Sequence, residues 1–234
     1  MSRLGVFDSG LGGYDIVRAI HRQYPKQDIV LLADQKNVPY GNKDSKELEE
    51  ITRNNLAFFK KKRIGNVLIA CNTTSANAVE LEGVNAIRII GITSAQVEES
   101  RVIVLATKHT CNSHAYQKAM PEKEVIEIPL ANMASLIERL ASKEEILAEL
   151  DANLHAYKDS GIPAVLGCTH YPIIKEEIEV YLQSKSYTSI PAVLQLPLYS
   201  RGRGRLEIYT NAKAEELKRK IKVLFDDDVE VKEI

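Results

Sequence analysis

The chain has 234 residues, 44% of them hydrophobic and 27% charged, which excludes a disordered or collagen-like protein and allows one large or two small domains. Its 31 basic and 32 acidic residues leave a net charge of −1, which argues against a general nucleic-acid or acidic-membrane binder, and no apolar run reaches the length of a membrane span. Three cysteines do not make a disulfide framework. With an opening Met1-Ser2-Arg3-Leu4 that leads straight to Asp8 rather than to a signal-peptide core, they point to a reducing, cytoplasmic setting. Along the chain, Leu4-Gly5-Val6-Phe7 reads as a buried strand, followed by a helix from Tyr14 to Arg22 with Ile16, Val17, Ala19 and Ile20 at helical spacing. Ile29-Val30-Leu31-Leu32 is a second strand. Ser45 to Lys62 is a long helix with Leu48, Ile51, Leu56 and Phe59 on one side. Asn66 to Ala70 and Ile87 to Ile90 are the third and fourth strands.

The cycle then restarts. Arg101 to Leu105 reads as a strand, His114 to Ala119 as a helix, Val125 to Ile128 as a strand, Ser142 to Asp159 as a helix, and Ala164-Val165-Leu166 as another strand. Strands that alternate with helices imply parallel sheets, and strands apolar at every position imply sheets covered on both faces. The fold class is therefore α/β, in two similar halves. From Ser184 to Arg205 the rhythm breaks, and Pro191, Pro197 and Arg201-Gly202-Arg203-Gly204-Arg205 read as a solvated connector. Leu206 to Thr210 is a last strand and Ala214 to Phe225 a last helix, with Asp226-Asp227-Asp228 a solvated turn.

In open parallel sheets, ligands bind where strands end and loops turn into helices. The residues at those ends are Asp8-Ser9-Gly10-Leu11-Gly12-Gly13, then Asp34 and Pro39-Tyr40-Gly41, then Cys71-Asn72-Thr73-Thr74. In the second half they are Thr107-Lys108-His109-Thr110 and Cys168-Thr169-His170-Tyr171-Pro172. Cys71 and Cys168 thus hold equivalent places, each before a helix, with Thr73 or Thr74 capping a segment through Val79 and Pro172 suited to a first helical turn. Free N–H groups and the helix dipole favour a thiolate or a bound carboxylate there. An isolated cysteine is more often a small inert hydrophobe. Two on opposing halves instead suit inversion of a stereocentre, one thiolate removing an α-proton while the opposite thiol delivers another. Other motifs carry less. Gly10-Leu11-Gly12-Gly13 lacks the dinucleotide spacing, and His109-Thr110-Cys111-Asn112-Ser113-His114 lacks a zinc pattern. Cys111 reads as packing, Lys108 as solvent-exposed, and His21 and His155 as surface positions.

Taken together, these motifs resemble the glutamate racemases of the aspartate/glutamate racemase superfamily. The resemblance runs through Gly5-Val6-Phe7-Asp8-Ser9-Gly10, Val38-Pro39-Tyr40-Gly41, Ala70-Cys71-Asn72-Thr73, Ala106-Thr107 with Thr110, Leu166-Gly167-Cys168-Thr169-His170-Tyr171-Pro172 and Ile208-Tyr209-Thr210. It implies cofactor-independent interconversion of L- and D-glutamate, with no metal, supplying D-glutamate for bacterial peptidoglycan. It also implies two pseudo-symmetric α/β domains with the active site between them: residues 1–93 with 206–234, including a returning C-terminal helix, and residues 94–205. Cys71 would act on D-glutamate and Cys168 on L-glutamate, assisted by Asp8 and His170. Ser9, Pro39, Tyr40, Gly41, Asn72, Thr73 and Thr169 would hold the substrate's carboxylates and amino group, and Asp34 and Glu138 match further acidic positions. A carboxylate beside a thiol repels its charge, so Asp8 is an orienting or proton-accepting partner of Cys71 rather than its activator.

Two departures stand out. Ile128-Pro129-Leu130 replaces the family's Cys-Pro-Leu, and the stretch from Leu194 to Arg205 replaces an aspartate-serine turn and a helix. The expected partner is a small acidic amino acid, with a homodimer allowed and neither nucleic acid nor membrane involved. The alternatives are a racemase for aspartate or another acidic amino acid, and a non-catalytic amino-acid-binding regulator.

Overall fold

Alternate residues of a strand point to opposite faces, and here both faces of each sheet find an apolar partner. The computed structural model describes residues 3–77 and 79–234; Met1 and Ser2 of the opening segment, and Ala78 of the segment read as running to Val79, lie outside the described residues. In β2 (Ile29–Ala33), Ile29, Leu31 and Ala33 enter one apolar cluster while Val30 and Leu32 enter the cluster on the other face. β5 (Arg101–Ala106) does the same with Ile103 and Leu105 against Val102, Val104 and Ala106. Fully buried strands of this kind need helices on both sides, and the chain supplies them.

The first half contains β1 (Leu4–Asp8), β2, β3 (Asn66–Ile69) and β4 (Asn85–Arg88), hydrogen-bonded in the order β2-β1-β3-β4. The second contains β5, β6 (Glu124–Pro129), β7 (Ala164–Gly167) and β8 (Ser186–Tyr187), in the order β6-β5-β7-β8. The two orders are the same: the first strand is central, the second lies on one side of it, and the third and fourth lie on the other. All these pairings are parallel. β9 (Leu206–Thr210) then returns to pair with β2, and β10 (Val231–Glu233) pairs with β9 to complete a six-stranded sheet. Among the described residues, no helix is long and apolar enough to cross a membrane.

Local chemistry sets the helix boundaries. Asp44 caps the helix Ser45–Lys61 by accepting from the Glu47 amide at 2.8 Å, and Ser142 with Glu145 forms a capping box at the start of Lys143–Leu154. Several expectations are corrected. Ile89 and Ile90 are not strand residues; they open the helix Ile89–Ser94, and each is buried in a different apolar cluster. The expected capped helix after Cys71 is one turn, Asn72–Ser75, and neither Thr73 nor Thr74 caps it. The stretch from His114 begins earlier, as Lys108–Ser113, and is broken by His114 at φ 52° before Ala115–Ala119. Asp227 is not merely solvated, because it accepts from Arg18 Nε at 2.7 Å and from the Tyr14 hydroxyl at 3.0 Å.

The connector is the largest correction. Its helix Ile190–Leu194 buries Val193 in the core of the first sheet. Tyr199 stacks on Tyr24 of that side with ring centroids 4.0 Å apart. The glycine-arginine run is pinned to the segment that leads into β2, an interior strand of the sheet. Asp28 Oδ1 accepts from the Arg203 and Arg205 amides at 3.0 and 2.9 Å, and the Gly202 amide donates to the Lys26 carbonyl at 2.6 Å. The three arginines are exposed and the two glycines are half-buried. Gly204 sits at φ 71°, and a Cβ there would overlap the Pro25 carbonyl oxygen. Gly204→Ala is therefore expected to cost about 2 kcal/mol and to lower Tm by about 4–8 °C for a chain of this size. A thermal melt identical to wild type would show that the run is not pinned.

Candidate active site

In a sheet of order 2-1-3-4, the chain leaves the first strand in one direction and crosses back in the other, and a crevice opens at the strand ends where the direction changes. In the first sheet that place lies beyond β1 and β3, which carries Asp8-Ser9 and Cys71. In the second it lies beyond β5 and β7, which carries Thr107 and Cys168. The two crevices share one cavity of about 310 Å³, a volume in the range of small-ligand sites. Every expected site residue except Asp8 lines it: Ser9, Pro39, Tyr40, Gly41, Cys71, Asn72 and Thr73 from one half, and Cys168, Thr169 and His170 from the other.

Asp8 lies behind the wall, fully buried. Its Oδ2 accepts from the Gly10 and Gly13 amides at 3.0 Å each, and its Oδ1 accepts from the Thr169 hydroxyl at 3.1 Å. Burial pushes its carboxyl above the usual range, opposed by His170 and by these donors. The Cys71 thiol is pushed up to about 11 by burial and then by the Asp8 charge, and the Thr74 amide and the Ser9 hydroxyl, 3.6 Å from Sγ, offset part of this. Gly12 lets the halves approach here, because a Cβ at that position would overlap Thr169.

The Cys168 side is built differently. Its Sγ lies 3.7 Å from His170 Nδ1, and His170 Nε2 lies 2.8 Å from Glu138 Oε1. The same Glu138 oxygen accepts from the Leu11 amide at 2.9 Å, and Oε2 pairs with Lys220 Nζ at 2.9 Å. Burial alone would lower the pKa of His170, but the Cys168 thiol and the Glu138 carboxylate raise it well above its ordinary value, so the imidazole is held charged. Glu138 is lowered to about 2, because His170, the Leu11 amide and Lys220 outweigh burial.

The wall itself is furnished with donors. Asn72 Oδ1 accepts from the Tyr116 hydroxyl at 2.7 Å, and Nδ2 is buried on the cavity wall with no hydrogen-bond partner among the described residues. Thr73 and Thr107 meet hydroxyl to hydroxyl at 2.9 Å across the two halves. Asp34 stands behind Tyr40. It accepts the Tyr40 hydroxyl and the Asn55 amide (2.7 Å), together with the Asn37 and Asn211 amides, and so fixes Tyr40 against the wall. Lys108 is exposed, as expected, but it lies at the cavity rim. Cys111 is packed in the core beside Tyr116 and Met120, away from the cavity. His21 is half-buried rather than at the surface, and its Nδ1 is buried without a hydrogen-bond partner among the described residues. Lys220 was missed. The signal for it was a lysine on the apolar face of the helix Ala214–Phe225, beside Leu217 and Ile221.

No family model matches the chain. It is 33% identical over 195 residues to the glutamate racemase of Lactobacillus helveticus, an alignment covering 78% of this chain and 73% of that one. It is 37% identical over 190 residues to the glutamate racemase of Clostridium perfringens, covering 75% and 73%. The crystal structure of Francisella tularensis glutamate racemase in complex with D-glutamate superimposes with a TM-score of 0.90 at 28% identity, covering 100% of this chain and 97% of that one. An aspartate racemase from Picrophilus torridus shares the fold at 15% identity, with a TM-score of 0.61 over 83% of this chain and 91% of that one.

The Glu138–His170 pair has a pH window whose sign follows from its two shifts. His170 is raised, so its contribution is complete below its ordinary 6.5 and is lost as pH rises through the raised value. Glu138 is lowered, so its contribution is complete above its ordinary 4.5 and is lost as pH falls toward about 2. The difference in Tm between wild type and Glu138→Gln is therefore expected to peak between pH 4.5 and 6.5 and to shrink on both sides. Melts of the two proteins across pH check this, and a difference independent of pH would mean that the pair does not form.

Proposed function

The chain belongs to the glutamate racemase family and is an amino-acid racemase, and on that premise we propose that it interconverts L- and D-glutamate by a two-thiol mechanism. One observation carries this reading: Cys71 and Cys168, each at the switch point of its own sheet, line the same cavity. In the L-to-D direction, the Cys168 thiolate takes the α-proton and the Cys71 thiol delivers its proton to the opposite face of the carbon. The electrostatics support that assignment. His170 Nδ1 lies 3.7 Å from the Cys168 sulfur and can exchange a hydrogen bond with it, whereas burial and Asp8 push the Cys71 thiol up. Asp8 then orients Cys71 and handles its proton in the reverse direction.

The unpartnered Asn72 Nδ2, with the Thr73 and Thr169 hydroxyls, suits a carboxylate whose negative charge grows as the α-carbon is deprotonated. Ser9, Pro39, Tyr40 and Gly41 complete the substrate's surroundings on the first half. We assign the product D-glutamate to peptidoglycan synthesis, in keeping with the family, and place the enzyme in the cytoplasm, where both thiols stay reduced. The domain division is proposed with one change. Residues 190–205 join 1–93 and 206–234 rather than 94–189, because their apolar side chains pack on the first sheet.

Circular dichroism with L-glutamate in the presence of a chelator tests the activity, and saturable binding without loss of signal would make the protein a regulator instead. Cys71→Ser and Cys168→Ser are each expected to reduce turnover by at least about a thousandfold with the fold intact, because an alcohol is a far weaker acid than a thiol. In heavy water, early product D-glutamate should carry deuterium at the α-carbon while unreacted L-glutamate does not. Unlabelled product would sink the two-thiol reading.

A further inference from the structure

Lys220 is a buried cation far along the chain from the candidate residues, and its position is hard to explain by stability alone. It lies on the apolar face of the helix Ala214–Phe225, only 8% exposed, where an ammonium is costly to bury unless it is paired. Its Nζ reaches Glu138 Oε2 at 2.9 Å and Glu216 Oε1 at 3.1 Å. Glu138 is the last residue of the helix Met133–Glu138, on the second half of the molecule, while Lys220 belongs to the first. The contact therefore spans the cleft. On the near side, the other Glu138 oxygen meets His170 Nε2 at 2.8 Å, and His170 Nδ1 lies 3.7 Å from Cys168 Sγ.

We propose that Lys220 is a positioning residue for the Cys168 half-site: it fastens Glu138 from across the cleft, so that the carboxylate's other oxygen holds His170 against the thiol. Two effects follow from that one contact. A carboxylate gripped at both oxygens has one orientation, and the imidazole it holds has one orientation in turn. Lys220 also shares the Glu138 charge with His170, whose other ring nitrogen faces Cys168. The Cys71 half-site has no such arrangement, since Asp8 is held by two amides and a hydroxyl.

This inference rests on the two-thiol reading, and its test separates the two. Wild type, Lys220→Met and Lys220→Arg are treated with iodoacetamide, the alkylation rate at each cysteine is followed by peptide mass spectrometry, and kcat and KM are measured for both enantiomers. In Lys220→Met, alkylation of Cys168 and kcat/KM should each fall about tenfold, the effect of losing one charge-assisted hydrogen bond, while Cys71 reacts as in wild type. Lys220→Arg, which keeps the charge and the reach, should restore both to within about threefold. Cys111, packed away from the cavity and pushed up to about 12 by burial and then by Glu127, serves as the unreactive reference. An unchanged Cys168 rate, or an equal fall at Cys71 and Cys168, would overturn the proposal, the latter by revealing general loosening. A selective fall at Cys168 in a protein whose racemisation survives Cys168→Ser would uphold the role of Lys220 and overturn the two-thiol reading.

Discussion

All strands of a parallel sheet end on the same side, and that constraint organises this molecule. Because the chain twice builds the order 2-1-3-4, it makes two crevices of the same kind, and the two halves face each other across them. Ser9, Cys71, Thr107 and Cys168 need no special loop to reach the cavity. Each is the residue at, or just beyond, the end of a central strand. The close approach of Gly12 to Thr169, and the Thr73–Thr107 contact, are two of the places where the halves touch.

Bringing strand ends together also brings charges together, and the protein handles this differently on its two sides. Asp8 is buried with neutral donors, so desolvation dominates and its charge works against the neighbouring thiol. Glu138 is only half-buried and is flanked by His170, Lys220 and an amide, so it stays ionised and keeps an imidazolium beside the other thiol. Two half-sites alike in backbone topology are thus opposite in electrostatics.

Much of this was legible in the sequence, because apolar runs such as Ile29 to Leu32 and Val102 to Leu105 can be buried on both faces only in a covered parallel sheet. The strand-end residues were legible for the same reason. What failed was local. Ile89 and Ile90 look like strand residues but wind into a helix, because packing in two different clusters outweighs β-propensity. The glycine-arginine run looked solvated because its charge is visible in the sequence, whereas the Asp28 carboxylate that ties down its amides is more than 170 positions away. Lys220 was hidden by its many charged neighbours on the same helix. Its difference from them lies in the face it occupies, not in its type.

The inequality of the two half-sites has a kinetic consequence. Mirror-image substrates have equal free energies in water, so at equilibrium they are present in equal amounts, and kcat/KM must be the same in both directions however unlike the two thiols are. An imidazolium on one side and a buried carboxylate on the other therefore cannot bias the net direction of the reaction. The asymmetry can appear only under saturation, as a tighter, slower reaction with one enantiomer and a looser, faster one with the other. The enzyme's preference would then depend on how much of each enantiomer the cell keeps in stock.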